Sequence, residues 1–223
     1  MPSERLPLET WDARVQAWRD RIGEIGLERS VVSKDTSAAD LQRLQFKMVW
    51  PHVLAALTGT ERRALDFGCG TGRWTPHLAA HIGYALGVDL LPEFVDYAEA
   101  HRPPTCGLSR LEYRPYMRGH IPAPDASFDV LWVCMVLGAI LDDDMLAATA
   151  RELRRVLRPG ALVFLIDSVS RDDGQPIRTS HWVSRTVEEY QAVLAWAALE
   201  PVGRYIDHRE LNTIYVGHVH ADA

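Results

Sequence analysis

Three glycines in five positions, Gly68, Gly70 and Gly72, follow the short apolar stretch Ala64-Leu65-Asp66-Phe67 in LDFGCGTGRW. At a strand-to-helix turn such glycines let the chain adopt positive φ and let a ligand approach bare backbone, while the following helix presents free N–H groups. The stretch is therefore a ligand cradle, and three ligands compete for it. A Walker-type phosphate loop requires a lysine after its last glycine, and none follows Gly72. A nicotinamide or flavin fingerprint reads GxGxxG, whereas here the third glycine comes one residue early. Asp89 separates the readings: it ends the second apolar run in YALGVDLLPEFV. An acidic side chain there accepts hydrogen bonds from both ribose hydroxyls of an adenosine.

The elements that must hold this cradle are legible from the apolar rhythm. From residue 62 short apolar runs alternate with helical segments, the pattern of a parallel sheet wound with crossover helices. Strands are expected at Arg63–Phe67, Tyr84–Asp89, Arg110–Tyr113, Phe128–Met135 and Ala161–Asp167. Helices are expected at Gly72–Ile82, Pro92–His101 and Asp142–Leu157, the last stopped by Arg158-Pro159-Gly160. Glu188–Ala198 reads as a helix, and GRYIDHRELNTIYVGHV as an antiparallel hairpin that closes the sheet. Apolar spacing makes the first sixty residues helical, with Ser37 or Asp40 capping the second helix and LERSVVSKDTSA as a mobile connection. The expected architecture is α/β: a seven-stranded, mostly parallel Rossmann-like sheet with helices on both faces. Residues 1–60 form a helical lid and 61–223 the ligand-binding domain.

Composition narrows the partners. The 223 residues, 47% hydrophobic, suffice for one sizeable core. The formal net charge is −6 and the Lys and Arg residues are scattered, so no phosphate-backbone surface for nucleic acid is expected. The sequence has neither a signal-type apolar run at its start nor a long uncharged apolar stretch, which predicts a cytoplasmic protein without a membrane partner. Three cysteines, Cys69, Cys106 and Cys134, show no CxxC spacing, so neither a disulfide framework nor a metal site is expected.

LDFGCGTGRW, GVDLLPEFV, IPAPDASFDVLWV and LRRVLRPGALVFLID resemble, in order and spacing, the four sequence blocks of the class I S-adenosylmethionine-dependent methyltransferases. The resemblance spans roughly residues 62 to 167. It implies S-adenosylmethionine as cofactor and S-adenosylhomocysteine as product. By position it implies Asp66 near the methionine amino group, with Gly68, Cys69, Gly70 and Gly72 around the amino-acid part. Asp89 would take the ribose, Leu90 would lie against the adenine, and the peptide around Cys134 and Met135 would run beside the methionine. Two departures stand out. Met117 and Arg118 occupy the place where many relatives carry an Asp toward the adenine amino group, which leaves the ring to apolar contact and backbone. Gly138 and Ala139 replace bulky residues after the fourth strand, which implies a roomier acceptor pocket.

Methyl transfer from a sulfonium is an in-line displacement governed by alignment, and an alcohol or phenol acceptor also needs a base. His181, in SHWVSRTVEEY, and Asp167, ending ALVFLID, are the candidate bases. A surface histidine beside a packing tryptophan and a loop-capping aspartate are the competing accounts of these two. Trp11, Trp18, Lys47 and Trp182 are candidate acceptor contacts, with ordinary helix packing and a solvated charge as the alternatives. His120 and Tyr116 read as loop residues, and His208 and His218 as structural. The leading function is methyl transfer to an oxygen or nitrogen of a small molecule. The alternatives are a non-catalytic cofactor-binding partner subunit and a nicotinamide-dependent oxidoreductase. A homodimer would form through the hairpin edge or the N-terminal helices.

Overall fold

The computed structural model describes residues 11–30, 38–104, 110–117, 119–171, 174–207 and 210–220. Ser37, Arg118, His208 and Cys106 lie outside the described residues.

Seven strands form one sheet. In chain order the elements are α1 (Trp11–Ile25), α2 (Leu27–Ser30), α3 (Ala38–Ala56), β1 (Ala64–Phe67), α4 (Thr75–Ile82), β2 (Ala85–Asp89), α5 (Pro92–Ala100), β3 (Leu111–Pro115) and β4 (Phe128–Cys134). They continue as α6 (Asp143–Val156), β5 (Leu157–Val169), β6 (Ile177–Arg178), β7 (Val183–Ser184), α7 (Val187–Val193), β8 (Glu200–Asp207) and β9 (Glu210–His218). The strand order is β3-β2-β1-β4-β5-β9-β8. Strands β1 to β5 pair in parallel and β9 runs antiparallel to both neighbours. This is the expected Rossmann-like sheet with its closing hairpin. The order reverses between β1 and β4, and at such a switch point the carboxyl ends of the strands leave a crevice.

Strands buried on both faces explain the continuous apolar runs. Leu65, Phe67, Leu86, Val88, Leu131 and Val133 point to one face, against Leu146, Ala150 and Leu153 of α6 and Tyr190 of α7. Ala64, Ala85, Val130, Trp132 and Phe164 point to the other, against Val49, Trp50 and Val53 of α3 and Leu78 and Ile82 of α4. Helix α3 is thus one layer of the core, and among the N-terminal helices it is α1 that lies over the crevice. Trp11 packs edge-on against Tyr116, Trp18 edge-on against Phe94, and Arg19 Nε donates to Glu93 at 2.7 Å.

Several boundaries differ from expectation for local reasons. Gly72 has φ +78°, so α4 starts only at Thr75. Helix α3 already begins at Ala38, so Asp40 lies inside its first turn, where it pairs with Arg43. Leu27–Ser30, expected as part of a mobile connection, forms the short helix α2. Arg158-Pro159-Gly160 ends α6 but already belongs to β5, because Leu157 pairs with Phe128 and Gly160 N donates to Val219 O at 2.9 Å. The segment expected as one helix at Glu188–Ala198 breaks after Val193 into a 3-10 turn ending at Ala198, whose φ is +41°. The small β6–β7 hairpin has no apolar signature and was not expected.

Candidate functional site

The switch-point crevice is a cleft with about 1080 Å³ of space including its open mouth. Its floor is the end of β1 and the glycine loop. Gly68 and Gly70 have φ of +73° and +53°. A Cβ at Gly68 would lie 2.4 Å from Val136 Cγ2, so this position must stay bare for the loop to pass the end of β4.

Two buried carboxylates face this floor. Asp66 accepts from Thr75 Oγ1 at 2.6 Å, and Asp89 accepts from Gly70 N at 2.8 Å and Leu91 N at 3.0 Å. Burial pushes the Asp66 carboxyl up to about 7 against the opposing Thr75 hydrogen bond and Arg73 charge. Burial likewise pushes Asp89 up to about 6, although the Leu91 and Gly70 amides pull it down. Desolvation disfavours both charges, and a cation or hydroxyl donor arriving in the cleft would relieve it. Neighbouring strands thus hold two acceptors ready for a ligand with polar hydrogens.

Among the residues singled out in the sequence, Asp66, Gly68, Cys69, Gly70, Asp89, Leu90 and Cys134 line the cleft, as do Trp11 and Trp18. Met135 and Ala139 line it too, and Met135 has φ +60°, a strained backbone where the chain leaves β4. Others are elsewhere. Gly72 is not a lining residue; its missing Cβ makes room for Tyr113 Oη, 2.5 Å from where that atom would be. Met117 is exposed and bridges to His120.

Neither candidate base lines the cleft. Asp167 is fully buried, accepting from Gly138 N at 3.2 Å and Ser168 N at 2.9 Å, so it fixes the turn after β4 instead of meeting a substrate. Burial pushes its carboxyl up to about 6. The His181 side chain is exposed, and what the residue offers the site is its backbone: its carbonyl accepts from Arg14 Nη2 at 3.1 Å. Trp182 donates from Nε1 to Ser168 Oγ at 2.6 Å, and its ring occupies the space above Gly138 that a Cβ would fill. The pocket expected to be roomier at Gly138 is therefore filled by Trp182. Lys47 is exposed on α3, away from the lining.

Sequence reasoning missed Arg14, Arg73, Leu91, Phe94 and Tyr116 as lining residues. For Arg14 a signal existed: it lies three residues after Trp11 and four before Trp18, on the same helical face. It is buried and lies over the Trp18 ring, 5.5 Å from the centroid. Tyr116 is buried as well, and burial raises its phenol to about 12.

Residues 64–160 match the methyltransferase domain family. The chain is 30% identical over 166 residues to 2-methyl-6-phytyl-1,4-hydroquinone methyltransferase of a Synechocystis species, covering 70% of this chain and 50% of that protein. It is 28% identical to N-demethylindolmycin N-methyltransferase of Streptomyces griseus, covering 61% of this chain and 57% of that protein. The chain thus spans about half the length of the curated relatives it matches. Among solved structures, the [4+2]-cyclase SpnF superposes with a TM-score of 0.69 at 16% identity, covering 96% of this chain and 97% of that one. At that identity the likeness is one of fold alone.

Proposed function

We propose, from the premise that this chain belongs to the class I S-adenosylmethionine-dependent methyltransferases, that it transfers a methyl group to an oxygen or nitrogen of a small molecule. The observation that carries this reading is the pair Asp66 and Asp89, buried at the ends of adjacent parallel strands around a bare glycine loop. The pair fits the cofactor: Asp66 would take its ammonium, Asp89 its ribose hydroxyls, and Leu90, Leu91 and Phe94 would wall its adenine. When bound, S-adenosylmethionine supplies a methyl group on a sulfonium.

The chain's own contribution is alignment and exclusion of water. Helix α1 covers the cleft with Trp11, Arg14 and Trp18, and Met135 and Ile140 wall it beyond β4. Among the described residues no histidine lines the cleft. An acceptor atom that is already unprotonated, or that loses its proton directly to water, suits such a site better than an alcohol needing an imidazole. A small acceptor agrees with a cleft roofed by a helix and with the small-molecule names of two of the relatives.

The alternative is a partner subunit of this fold that binds the cofactor with no methyl transfer, since the fold alone does not settle the activity. Incubation with radiolabelled S-adenosylmethionine and a library of phenols, amines and carboxylic acids separates the two. Label transfer to any acceptor supports the first reading. Cofactor binding without transfer to any member supports the second.

A further inference from the structure

Helix α1 has one buried residue, and it is a charged one. Arg14 lies on the face of α1 turned to the cleft, between the half-buried Trp11 and Trp18, and lines the cleft itself. An apolar side chain is the default at the buried position of a helix, and burying a charge costs free energy that its surroundings must offset. Two contacts place the tip of this side chain: Nη2 donates to His181 O at 3.1 Å, and the guanidinium lies 5.5 Å from the Trp18 ring centroid. Trp182, next in the chain after His181, covers Gly138, beside the lining residues Ala139 and Ile140. The guanidinium therefore stands over the wall that the chain builds beyond β4.

That wall offers a second molecule little besides carbon. Its lining side chains are Val136, Ala139, Ile140, Leu141 and Met145. Its carbonyls are already engaged: Arg185 Nη1 and Nη2 donate to Leu137 O and Ile140 O at 2.9 Å each, and Arg178 Nη1 donates to Leu141 O at 3.4 Å. Among the described lining residues the carboxylates are Asp66 and Asp89, both assigned above to the cofactor. A cationic acceptor would meet Arg14 and the cofactor's sulfonium with no counter-charge on its own wall. An oxyanion matches instead, because a guanidinium keeps its charge and presents its donors in a planar fork. We propose that Arg14 is a specificity-determining residue that selects acceptors with an apolar body and one anionic oxygen, a carboxylate or an ionised phenol. The proposal rests on the methyltransferase reading above and narrows its acceptor class. Carboxylate chemistry has a second source, the amino-acid part of the cofactor itself, which the test distinguishes.

The protein saturated with S-adenosylhomocysteine is titrated at pH 8 with pairs that differ in charge: octanoate against octanamide, indole-3-acetate against indole-3-acetamide, and 4-nitrophenolate against 4-nitroanisole. In at least one pair the anion should bind tenfold or more tightly than its neutral counterpart. Arg14→Gln, which keeps a side-chain N–H but no charge, should bring that preference to within twofold of none. Arg14→Lys, which keeps the charge without the fork, should reduce it threefold or more without abolishing it. The ratio of the affinities for S-adenosylhomocysteine and for 5′-methylthioadenosine, which lacks the amino-acid part, should agree within twofold between wild type and Arg14→Gln. No anion preference in the wild type, or one that survives Arg14→Gln, overturns the proposal. If Arg14→Gln does not fold, an unreduced preference in Arg14→Lys overturns it. A selective loss of S-adenosylhomocysteine over 5′-methylthioadenosine in Arg14→Gln overturns the assignment to the acceptor and gives the guanidinium to the cofactor. Failure of the wild type to bind S-adenosylhomocysteine at all strikes the methyltransferase reading instead.

Discussion

The Asp89 carboxylate accepts the backbone amide of Gly70 at 2.8 Å, so an acidic residue that lines the cleft also fixes the glycine loop at its floor. Its other oxygen accepts from Leu91 N at 3.0 Å and so sets the entry to α5.

Asp89→Ala should therefore weaken S-adenosylhomocysteine binding by more than one ligand contact would suggest. Charge-assisted hydrogen bonds of this kind contribute about 1–3 kcal/mol, roughly five- to 150-fold in affinity. The upper half of that range is expected here, with Asp89→Asn falling between. Calorimetric titration of both variants checks this, and an unchanged affinity for Asp89→Ala removes the ribose assignment.

Gly68→Ala adds a Cβ where Val136 stands 2.4 Å away, at a φ of +73°. The backbone conformation alone costs about 1–2 kcal/mol for a non-glycine residue, and the overlap adds to it. In urea denaturation the variant should lose stability, and adding Val136→Ala should recover part of the loss. The two changes should be coupled and not additive.

Ionisation ties stability to ligand binding. Burial holds Asp66 near 7 and both Asp89 and Asp167 near 6, above the ordinary carboxylate value of about 3.9. Between those values the folded ligand-free protein holds more protons than the unfolded chain. The contribution of these groups is fully present below about pH 4 and is lost as pH rises through 6 and 7. The urea midpoint of the ligand-free protein should be higher at pH 5.5 than at pH 7.5, and Asp66→Asn should flatten that difference. Binding runs the opposite way. A ligand ammonium prefers ionised Asp66, so affinity for S-adenosylhomocysteine should rise about tenfold from pH 6 to pH 8, the factor for one proton with a midpoint near 7.

His181 meets Arg14 through its backbone carbonyl, so His181→Ala should leave turnover within about twofold of wild type, as for a surface change of little energetic weight. Trp182→Ala should instead lower stability, since it removes the hydrogen bond to Ser168 and empties the space above Gly138. Its expected cost, about 3–5 kcal/mol for a packed tryptophan, is read by denaturation.

What the sequence disclosed and what it withheld follow from the range of the interactions. The glycine loop and Asp89 are local: turn chemistry and strand-end position leave a mark within a few residues, and the structure brings Gly68, Gly70 and Asp89, though not Gly72, to one cleft. The parallel sheet was legible because strands buried on both faces must be apolar throughout. As candidate bases, His181 and Asp167 rest on residue type and on position, His181 after the expected fifth strand and Asp167 at its end. Which way a side chain points there depends on contacts with Gly138, Ser168 and Arg14, all distant in sequence or set by the turn. Trp182 and Gly138 form a complementary pair that no local pattern reveals. The Gln45–Arg73 contact joins α3 to the glycine loop across 28 positions and is equally silent in the sequence.

The most direct test of the central claim is calorimetric titration of the purified protein at pH 8 with S-adenosylhomocysteine, with NADH as the comparison ligand. The arrangement of Asp66 and Asp89 predicts micromolar binding of the sulfur nucleoside, weakened at pH 6, and no binding of NADH. Binding of NADH alone, or of neither ligand, would contradict it.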